Sequence, residues 1–384
     1  MQDNNQSEDE DGLLSLNSIS VSNMKQERYT FNHSHLLAGN WLWKTGKNSE
    51  LRLQGNAFLD KSDFWSEDAT TYLTLDGMPV ILEDEDIKNT KSEWKGEANY
   101  QYNGSRTFVD NNLREYIDFN KSMGNTRLNG ADTQIMVKPH KGYLSDGFQL
   151  SHTTAGKHVY KWNAKIDYYD LPGQILTVED ETERLALRFL DVRTALDDVI
   201  PIGKHDVDNT FGAEYNKQDI NVGMGLSPKR ICPYHRETLY WTPSMNLNFG
   251  SQRIDLSAKT LLTHQSYRQS NSHNLWVDPR ISYHWDISGM STLSASLTGT
   301  HTPLTAEDIF DTPIFTDYRT QEINKGKISA EQATALNASY QYTNPLSGLF
   351  FDFQPVYSRT TDNILYKCNL DKSLYTTMAT DSSY

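Results

Sequence analysis

Residues 280–300 read RISYHWDISGMSTLSASLTGT, and apolar side chains alternate with polar ones through most of this stretch. The alternation runs from residue 280 to 287, stops at residues 288–291 (SGMS), and resumes from residue 293. A period of two is the pattern of a β-strand with one apolar face, so the stretch predicts two strands joined by a tight turn. The apolar face then lies either against a protein core or against membrane lipid.

The same layout recurs along the chain. Alternating runs of about nine to eleven residues flank the short turns, which is longer than an ordinary globular strand and typical of a membrane-spanning one. Seven turns in all imply roughly fourteen strands or more. The six further turn signals lie at residues 45–48, 103–105, 154–157, 201–204, 250–252 and 344–347.

The connections at the other ends of these hairpins are long and polar. They cover residues 60–91, 121–145 and 303–331. Short turns on one end and long loops on the other are typical of an outer-membrane barrel, whereas a β-sandwich need not sort its connections by end. Helical signal is weak, and only residues 330–335 (AEQATA) predict a turn of helix.

Bulk composition disfavours one class of protein and excludes another. The chain of 384 residues has a formal net charge of -14, which disfavours a nucleic-acid partner because such a partner requires a basic surface. No run approaches the ~18 apolar residues of a transmembrane helix. Aromatic residues make up 11% of the chain, which suits strands and the aromatic belts of a barrel.

The chain contains no strong catalytic or metal-binding motif, so we expect no enzyme, no cofactor and no metal site. His33 and His35 share a strand face and could pair on a metal, but two polar-face imidazoles are the favoured interpretation. Residues 83–86 (EDED) lack the spaced glycine loop of a calcium site. Glu181 and Glu183 are close in sequence, which does not make them the opposed carboxylates of a glycosidase.

Cys232 and Cys368 are too few for a disulfide framework or a zinc site, although a single long-range disulfide remains open. Residues 1–12 are polar and acidic, and they have neither the basic nor the apolar region of a secretion signal. We predict that this segment is disordered. We further predict a partial barrel over residues 13–370 and an irregular tail over residues 371–384.

Four segments carry a family resemblance. Residues 94–113, 239–249, 275–303 and 339–353 resemble, in that order, successive hairpins of the β-barrel of TonB-dependent outer-membrane receptors. The group most similar has a carboxypeptidase-regulatory-like domain and a plug domain before the barrel. The resemblance covers most of residues 13–370, and each segment alone is only moderately specific.

The resemblance implies an antiparallel transmembrane β-barrel in the outer membrane of a Gram-negative bacterium, acting as a receptor and transporter. It implies contact with outer-membrane lipid, a plug domain and TonB, and with a surface lipoprotein. The family's signal peptide, plug and final barrel strands are not matched, so a fragment holding a partial barrel is expected. An open sheet edge has no hydrogen-bonding partner in lipid.

In this interpretation one face of the opening hairpin contacts lipid and the other faces the lumen. Aromatic residues of the long connections are weak candidates for ligand contact, or they pack these connections together. The alternative function is a soluble or surface-exposed β-sandwich that binds glycans as an adhesin. The predicted lipid-facing residues are Ile281, Tyr283, Trp285, Leu293, Ala295 and Leu297. The predicted lumen-facing residues are Arg280, Ser282, His284, Ser294, Ser296 and Thr298. The aromatic candidates are Phe64, Trp65, Phe310, Phe315 and Tyr318.

Overall fold

The computed structural model describes residues 2–10, 14–16, 19–72, 81–128, 131–137, 140–178, 181–202, 205–224, 230–315, 320–324, 327–361, 363–371 and 374–382. These residues form 23 strands and one helical turn, α1 (Ala306–Ile309). The strands are β1 (Gln2–Glu10), β2 (Leu14–Leu16), β3 (Ile19–Lys44), β4 (Ser49–Tyr72), β5 (Ile81–Asn103), β6 (Thr107–Phe119), β7 (Lys121–Leu128), β8 (Ala131–Val137), β9 (His140–Thr153), β10 (Val159–Val178), β11 (Glu181–Ile202), β12 (His205–Met224), β13 (Arg230–Phe249), β14 (Gln252–Tyr267), β15 (Ser270–Ser288), β16 (Ser291–Pro303), β17 (Ile314–Phe315), β18 (Thr320–Ile323), β19 (Ala330–Asn344), β20 (Leu349–Phe353), β21 (Val356–Thr361), β22 (Asn363–Asp371) and β23 (Leu374–Ser382).

One large antiparallel sheet contains most of these strands. Fifteen of its members pair in series: β3, β4, β5, β6, β9 to β16, β19 and then β20 with β21, which both pair with β19. This agrees with the predicted count. The ladders among the described residues run from β3 through to β20 and β21, and the sheet forms part of a barrel, as predicted. A second sheet contains β17, β18, β22 and β23.

The opening hairpin is formed by β15 and β16. Ile281 pairs with Leu297, and Trp285 pairs with Leu293, in an antiparallel register. The turn lies at residues 289–290, within the predicted stretch. The two-residue period of the sequence therefore gives the predicted strands and turn because each strand keeps one face apolar.

The sheet has two chemically different faces, and β14 shows the contrast at adjacent residues. Leu262 is 54% exposed, whereas Thr263, which points to the opposite face, is fully buried. We call the face that carries Leu262, its register partners Leu239 and Leu275, and the predicted lipid-facing residues the outer face. We call the opposite face, which carries Thr263, the lumen face.

The turns are sorted as predicted, with one addition. Short turns between strands lie at one end of the sheet, including residues 45–48, 104–106 and 154–158. The predicted turn at 201–204 includes residues outside the described part. At the opposite end, β14 and β15 are also joined tightly, through Arg268 and Gln269, and Arg268 has a φ of 54°. A positive φ is uncommon for a residue with a side chain and marks a tight reversal.

In two of the three long polar connections, the described residues are extended strands. Residues 60–72 continue β4 and pair with β5, from Asp60 opposite Lys91 to Thr70 opposite Ile81. Within residues 121–145, β7 and β8 form a hairpin. Antiparallel neighbours supply hydrogen bonds along their whole length, so pairing continues beyond the apolar part of each strand although the sequence there lacks an apolar face.

Three local expectations differ from the structure. Residues 330–335 are the start of β19, because pairing with β16 overrides the helix preference of their alanines. Residues 2–10, predicted to be disordered, form β1 and pair with β3. Residues 374–382, predicted to be irregular, form β23. The domain boundaries at residues 12 and 370 stay a prediction.

A buried apolar cluster lies on the lumen face. Part of the connection between β16 and β19 folds against this face, and we call its described residues the lumen loop. Its described residues are 304–315, 320–324 and 327–329. The buried cluster consists of Ile220, Val222, Cys232, Tyr234, Tyr267, Ala306, Ile309 and Phe310.

No helix in the described part of the chain has the length and apolarity to cross a membrane.

Candidate functional site

Ion pairs and hydrogen bonds between strands line the lumen face. On β5 and β6, the Glu93 carboxylate lies 2.7 Å from the Lys91 ammonium and accepts a 2.9 Å hydrogen bond from the Tyr116 hydroxyl. Lys95 lies 3.5 Å from the same carboxylate. Alternation places these side chains together, because residues two apart on a strand share a face.

The same arrangement recurs on the next strands. The Asp167 carboxylate on β10 accepts hydrogen bonds from Tyr143 at 2.8 Å and Ser145 at 2.6 Å, both on β9. Lys165 pairs with it at 2.7 Å. Each acid is thus held by a base and by hydroxyl donors, as a carboxylate partly removed from water requires.

A cavity of about 320 Å³ opens on this face between β4, β5, β6 and β9. Both signs of charge and hydroxyl groups line it. Such a surface offers hydrogen-bond donors and acceptors to a polar partner rather than a catalytic constellation. The side chains include Gln54, Lys95, Glu97, Arg114, Tyr116 and Tyr143.

Hydrogen bonds fix the lumen loop to distant strands. The Tyr234 hydroxyl donates to the carbonyl of Leu304 at 2.8 Å, and the Ala306 N–H donates to the Gln218 side-chain oxygen at 2.8 Å. Gln265 donates to the Tyr234 hydroxyl at 3.2 Å. These bonds satisfy backbone groups that would otherwise be buried without a partner.

The helical turn α1 carries the apolar contact. Ala306, Ile309 and Phe310 are almost fully buried against the lumen face. Asp308 accepts hydrogen bonds from the backbone N–H of Thr305 at 2.8 Å and from its hydroxyl at 2.7 Å, which stabilises the start of the turn. The lumen loop is therefore packed like a small core inside the lumen.

Charged groups hold the lumen loop beside the turn between β14 and β15. Arg268, in the turn between β14 and β15, pairs with Asp311 at 2.6 Å. Its guanidinium also donates to the sulfur of Cys232 at 3.2 Å, and this hydrogen bond is the largest contribution raising the pKa of Arg268. Cys232 is a free, buried thiol, and the side chain of Cys368 lies outside the described part.

The lumen loop also carries an acidic side chain. Glu307 projects from α1, and loss of surrounding water raises its pKa above the ordinary value, with further contributions from Asp308 and Glu322. Like charges disfavour a second ionised carboxylate nearby, which explains the direction. Asn324 donates to the carbonyl of Glu307 at 2.7 Å and so ties the two halves of the loop.

The predicted aromatic candidates have different environments. Phe310 is fully buried in the lumen cluster, which favours the packing alternative for this residue, while Trp65 on β4 is 37% exposed. Phe64 and Phe315 lie in β4 and β17, but their side chains are outside the described part, as is all of Tyr318. The structure does not bring these residues together into one described site, and their contact with ligand stays a prediction.

The other singled-out residues lie on separate strands. His33 and His35 lie on one face of β3, as predicted, and both are exposed. Residues 83–86 belong to β5, and Glu183 is buried on β11. Within the described part of the chain, no three His, Cys, Asp or Glu residues are arranged to hold a metal.

The lumen-loop contacts were missed by sequence analysis. One local signal was available, since Thr305 and Asp308 have the spacing of a capping box. The wall residues that receive the loop, such as Gln218 and Tyr234, look like ordinary alternating strand residues. Their role depends on a fold that brings residues 70 to 88 positions apart into contact.

Comparisons with known proteins identify solved structures that share this fold. No protein-family model and no curated protein matches the chain. Among solved structures, the outer membrane transporter YddB from Escherichia coli matches with a TM-score of 0.53 and 12% identity, over 94% of this chain and 50% of that one. The copper transporter OprC matches with a TM-score of 0.52 and 13% identity, over 90% and 57%.

The chain thus spans only half to somewhat more than half of these structures. At this identity the likeness concerns the fold. The antiparallel sheet, its exposed apolar face and its polar lumen face agree with it. The chain therefore has the fold of part of the β-barrel of these outer-membrane transporters.

Proposed function

We propose that this chain is the barrel part of an outer-membrane receptor that imports a ligand with energy passed through TonB. The observation that carries the proposal is the sorting of side chains between the two faces. Exposed apolar residues cover the outer face, and paired charges and hydroxyl groups cover the lumen face. A sheet sorted in this way suits lipid outside and a polar interior.

The proposed partners follow from the same distribution of apolar and polar side chains between the two faces. Outer-membrane lipid contacts the outer face, and the lumen face receives a plug domain that TonB moves. A surface lipoprotein is a further partner at the end that carries the long connections. The cell outer membrane is the proposed location.

The ligand is a solute too large or too scarce for diffusion through a porin, such as a siderophore, vitamin, glycan or peptide. We place its contacts on the lumen face, the lumen loop and the long connections, including Trp65. The lumen cavity supports this because its mixed charges and hydroxyls suit a polar ligand. No covalent chemistry is proposed, and the chain is not an enzyme.

The adhesin alternative predicts two sheets whose apolar faces meet in one core. The described sheet instead exposes its apolar face. Leu239, Leu262 and Leu275 are each more than half exposed, and Phe353 on β20 is 58% exposed. An apolar surface of this extent would favour aggregation in water, which supports the membrane function over the soluble one.

Cell fractionation tests the membrane assignment. We expect the full chain to sediment with the outer membrane and to require detergent for extraction. A folded monomer in detergent-free buffer, with one cooperative unfolding transition, would contradict the proposal.

Uptake in the native cell tests the energy source. Labelled vitamin, siderophore, glycan and peptide probes are offered to cells that have or lack TonB, and to cells that lack the gene for this chain. We expect one probe class to require both proteins. Uptake that needs this chain but not TonB would contradict TonB dependence and leave the barrel assignment intact.

A further inference from the structure

The apolar belt of the outer face ends sharply on strands β13, β14 and β15. Leu239, Leu262 and Leu275 are register partners and form one row across these strands. Two residues further from the short turns, Glu237, His264 and His273 form the next row on the same face. From one row to the next, exposed leucines are thus replaced by titratable groups.

The two histidines are in direct contact. Their rings stack with centroids 4.3 Å apart and an interplanar angle of 23°. The Nδ1 atom of His264 is buried and has no hydrogen-bond partner among the described residues. In the following row, His235 is the register partner of Lys217. Nitrogen donors are therefore concentrated where the apolar belt ends, which is the level of lipid headgroups.

A trough of about 490 Å³ reaches the outer face beside this row. Small side chains, Thr194 and Ala213, lie along it, and Leu239 and Leu262 border it. Glu237, His264 and His273 line the same trough. The volume of the trough lies in the range of small-molecule sites. Its lining is apolar along one part and polar at one end.

We propose that this trough binds a phosphorylated lipid of the surrounding membrane. An acyl chain lies along Ala213, Leu239 and Leu262, where it is continuous with the lipid that covers the belt. The phosphate lies at the polar end, where His264 and His273 supply N–H donors. Phosphate oxygens carry negative charge and are strong acceptors for such N–H groups.

Nitrogen groups outnumber the outer-face carboxylates around the polar end of the trough. The carboxylates are Glu237 and Asp219, and the nitrogen groups are Lys217 and the imidazoles of His235, His264 and His273. Lys217 lies 3.5 Å from Asp219, and its side chain is 45% exposed, so it remains accessible to a headgroup. A neutral diacylglycerol would leave these donors without a phosphate acceptor.

Native mass spectrometry of the detergent-purified full chain tests the site. The probes are phosphatidylglycerol and a diacylglycerol with the same acyl chains. We expect wild type to retain phosphatidylglycerol through detergent exchange and to lose diacylglycerol. The double variant H264A/H273A should weaken phosphatidylglycerol retention about tenfold, as expected for the loss of roughly one hydrogen bond to a charged phosphate.

Two further variants keep the test decisive. A213L fills the trough without changing charge and should also reduce phosphatidylglycerol retention. The matched control H33A/H35A removes two exposed outer-face histidines away from the trough and should retain phosphatidylglycerol as wild type does. Heat-modifiable gel mobility verifies that each variant folds.

Equal retention of the two lipids by wild type, or unchanged retention in both A213L and H264A/H273A, would overturn the site and indicate an ordinary lipid annulus. The site is independent of the proposed uptake function, because lipid retention is measured without ligand or TonB.

Discussion

The hairpin β15–β16 and the lumen loop it leads into are adjacent in the chain but are stabilised differently. In the hairpin, neighbours in sequence pair through a regular register, and apolar side chains remain exposed on the outer face. In the lumen loop, little regular pairing is present among the described residues, and α1 is buried against strands far away in sequence. The hairpin therefore depends on what covers its exposed outer face, whereas the lumen loop depends on tertiary contacts within the protein.

The largest expected effect comes from Phe310→Ala. Removing this buried ring from the lumen cluster should cost about 3–5 kcal/mol of the docking free energy of the loop. Hydrogen exchange across residues 304–315 measures the loss of protection. Phe353→Ala is the matched control, since Phe353 is exposed on the outer face. Equal protection of the loop in wild type and Phe310→Ala would show that the cluster does not hold it.

The next largest effect distinguishes the outer face of the hairpin from its lumen face. Ala295→Arg places a charge on the outer face in the middle of the apolar belt and should cost about 2–4 kcal/mol of folding free energy in lipid vesicles. Ser296→Arg, one residue away on the lumen face, should cost far less. Urea unfolding in vesicles measures both, and a reversed order would mean that the faces are assigned the wrong way round.

A smaller effect is expected from Tyr234→Phe. The lost hydroxyl would leave the carbonyl of Leu304 and the amide of Gln265 without their partner, at a cost of about 1–3 kcal/mol of loop docking. Hydrogen exchange of residues 304–310 measures this change. Tyr283→Phe on the outer face is the control, and it should leave exchange in the loop unchanged.

The smallest effect concerns pH and Glu307. The docked loop raises the pKa of Glu307 above its ordinary value of 4.5, so the docked state binds its proton more tightly than the free state. Docking is then strongest below that ordinary value and weakens as pH rises through the raised pKa. Because the Glu307 side chain keeps part of its contact with water, we expect a small change.

Glu307→Gln should remove this dependence. Hydrogen exchange of the lumen loop, corrected for the intrinsic effect of pH, would show protection falling with pH in wild type and constant in Glu307→Gln. Protection that rises with pH in wild type would contradict the direction of the pKa shift.

The comparison also shows how far sequence analysis reaches. The hairpin, its turn and its two faces follow from a period of two, because the strand geometry assigns each residue to a face regardless of what lies beyond. The alanines of residues 330–335 predicted a helical turn and were misleading, because pairing with β16 outweighs a weak local preference. The polar extension of β4 and β5 was not predicted because no apolar pattern marks it.

The sequence by itself determined the strand layout, the sorting of short turns and the apolar and polar faces, since these depend on near neighbours. Only the tertiary structure decided where the lumen loop lies and which wall residues receive it. Gln218 and Ala306 are 88 positions apart and meet at 2.8 Å. Contacts over that distance depend on the packed sheet, where burial of Ile309 and Phe310 offsets the entropy of ordering the loop.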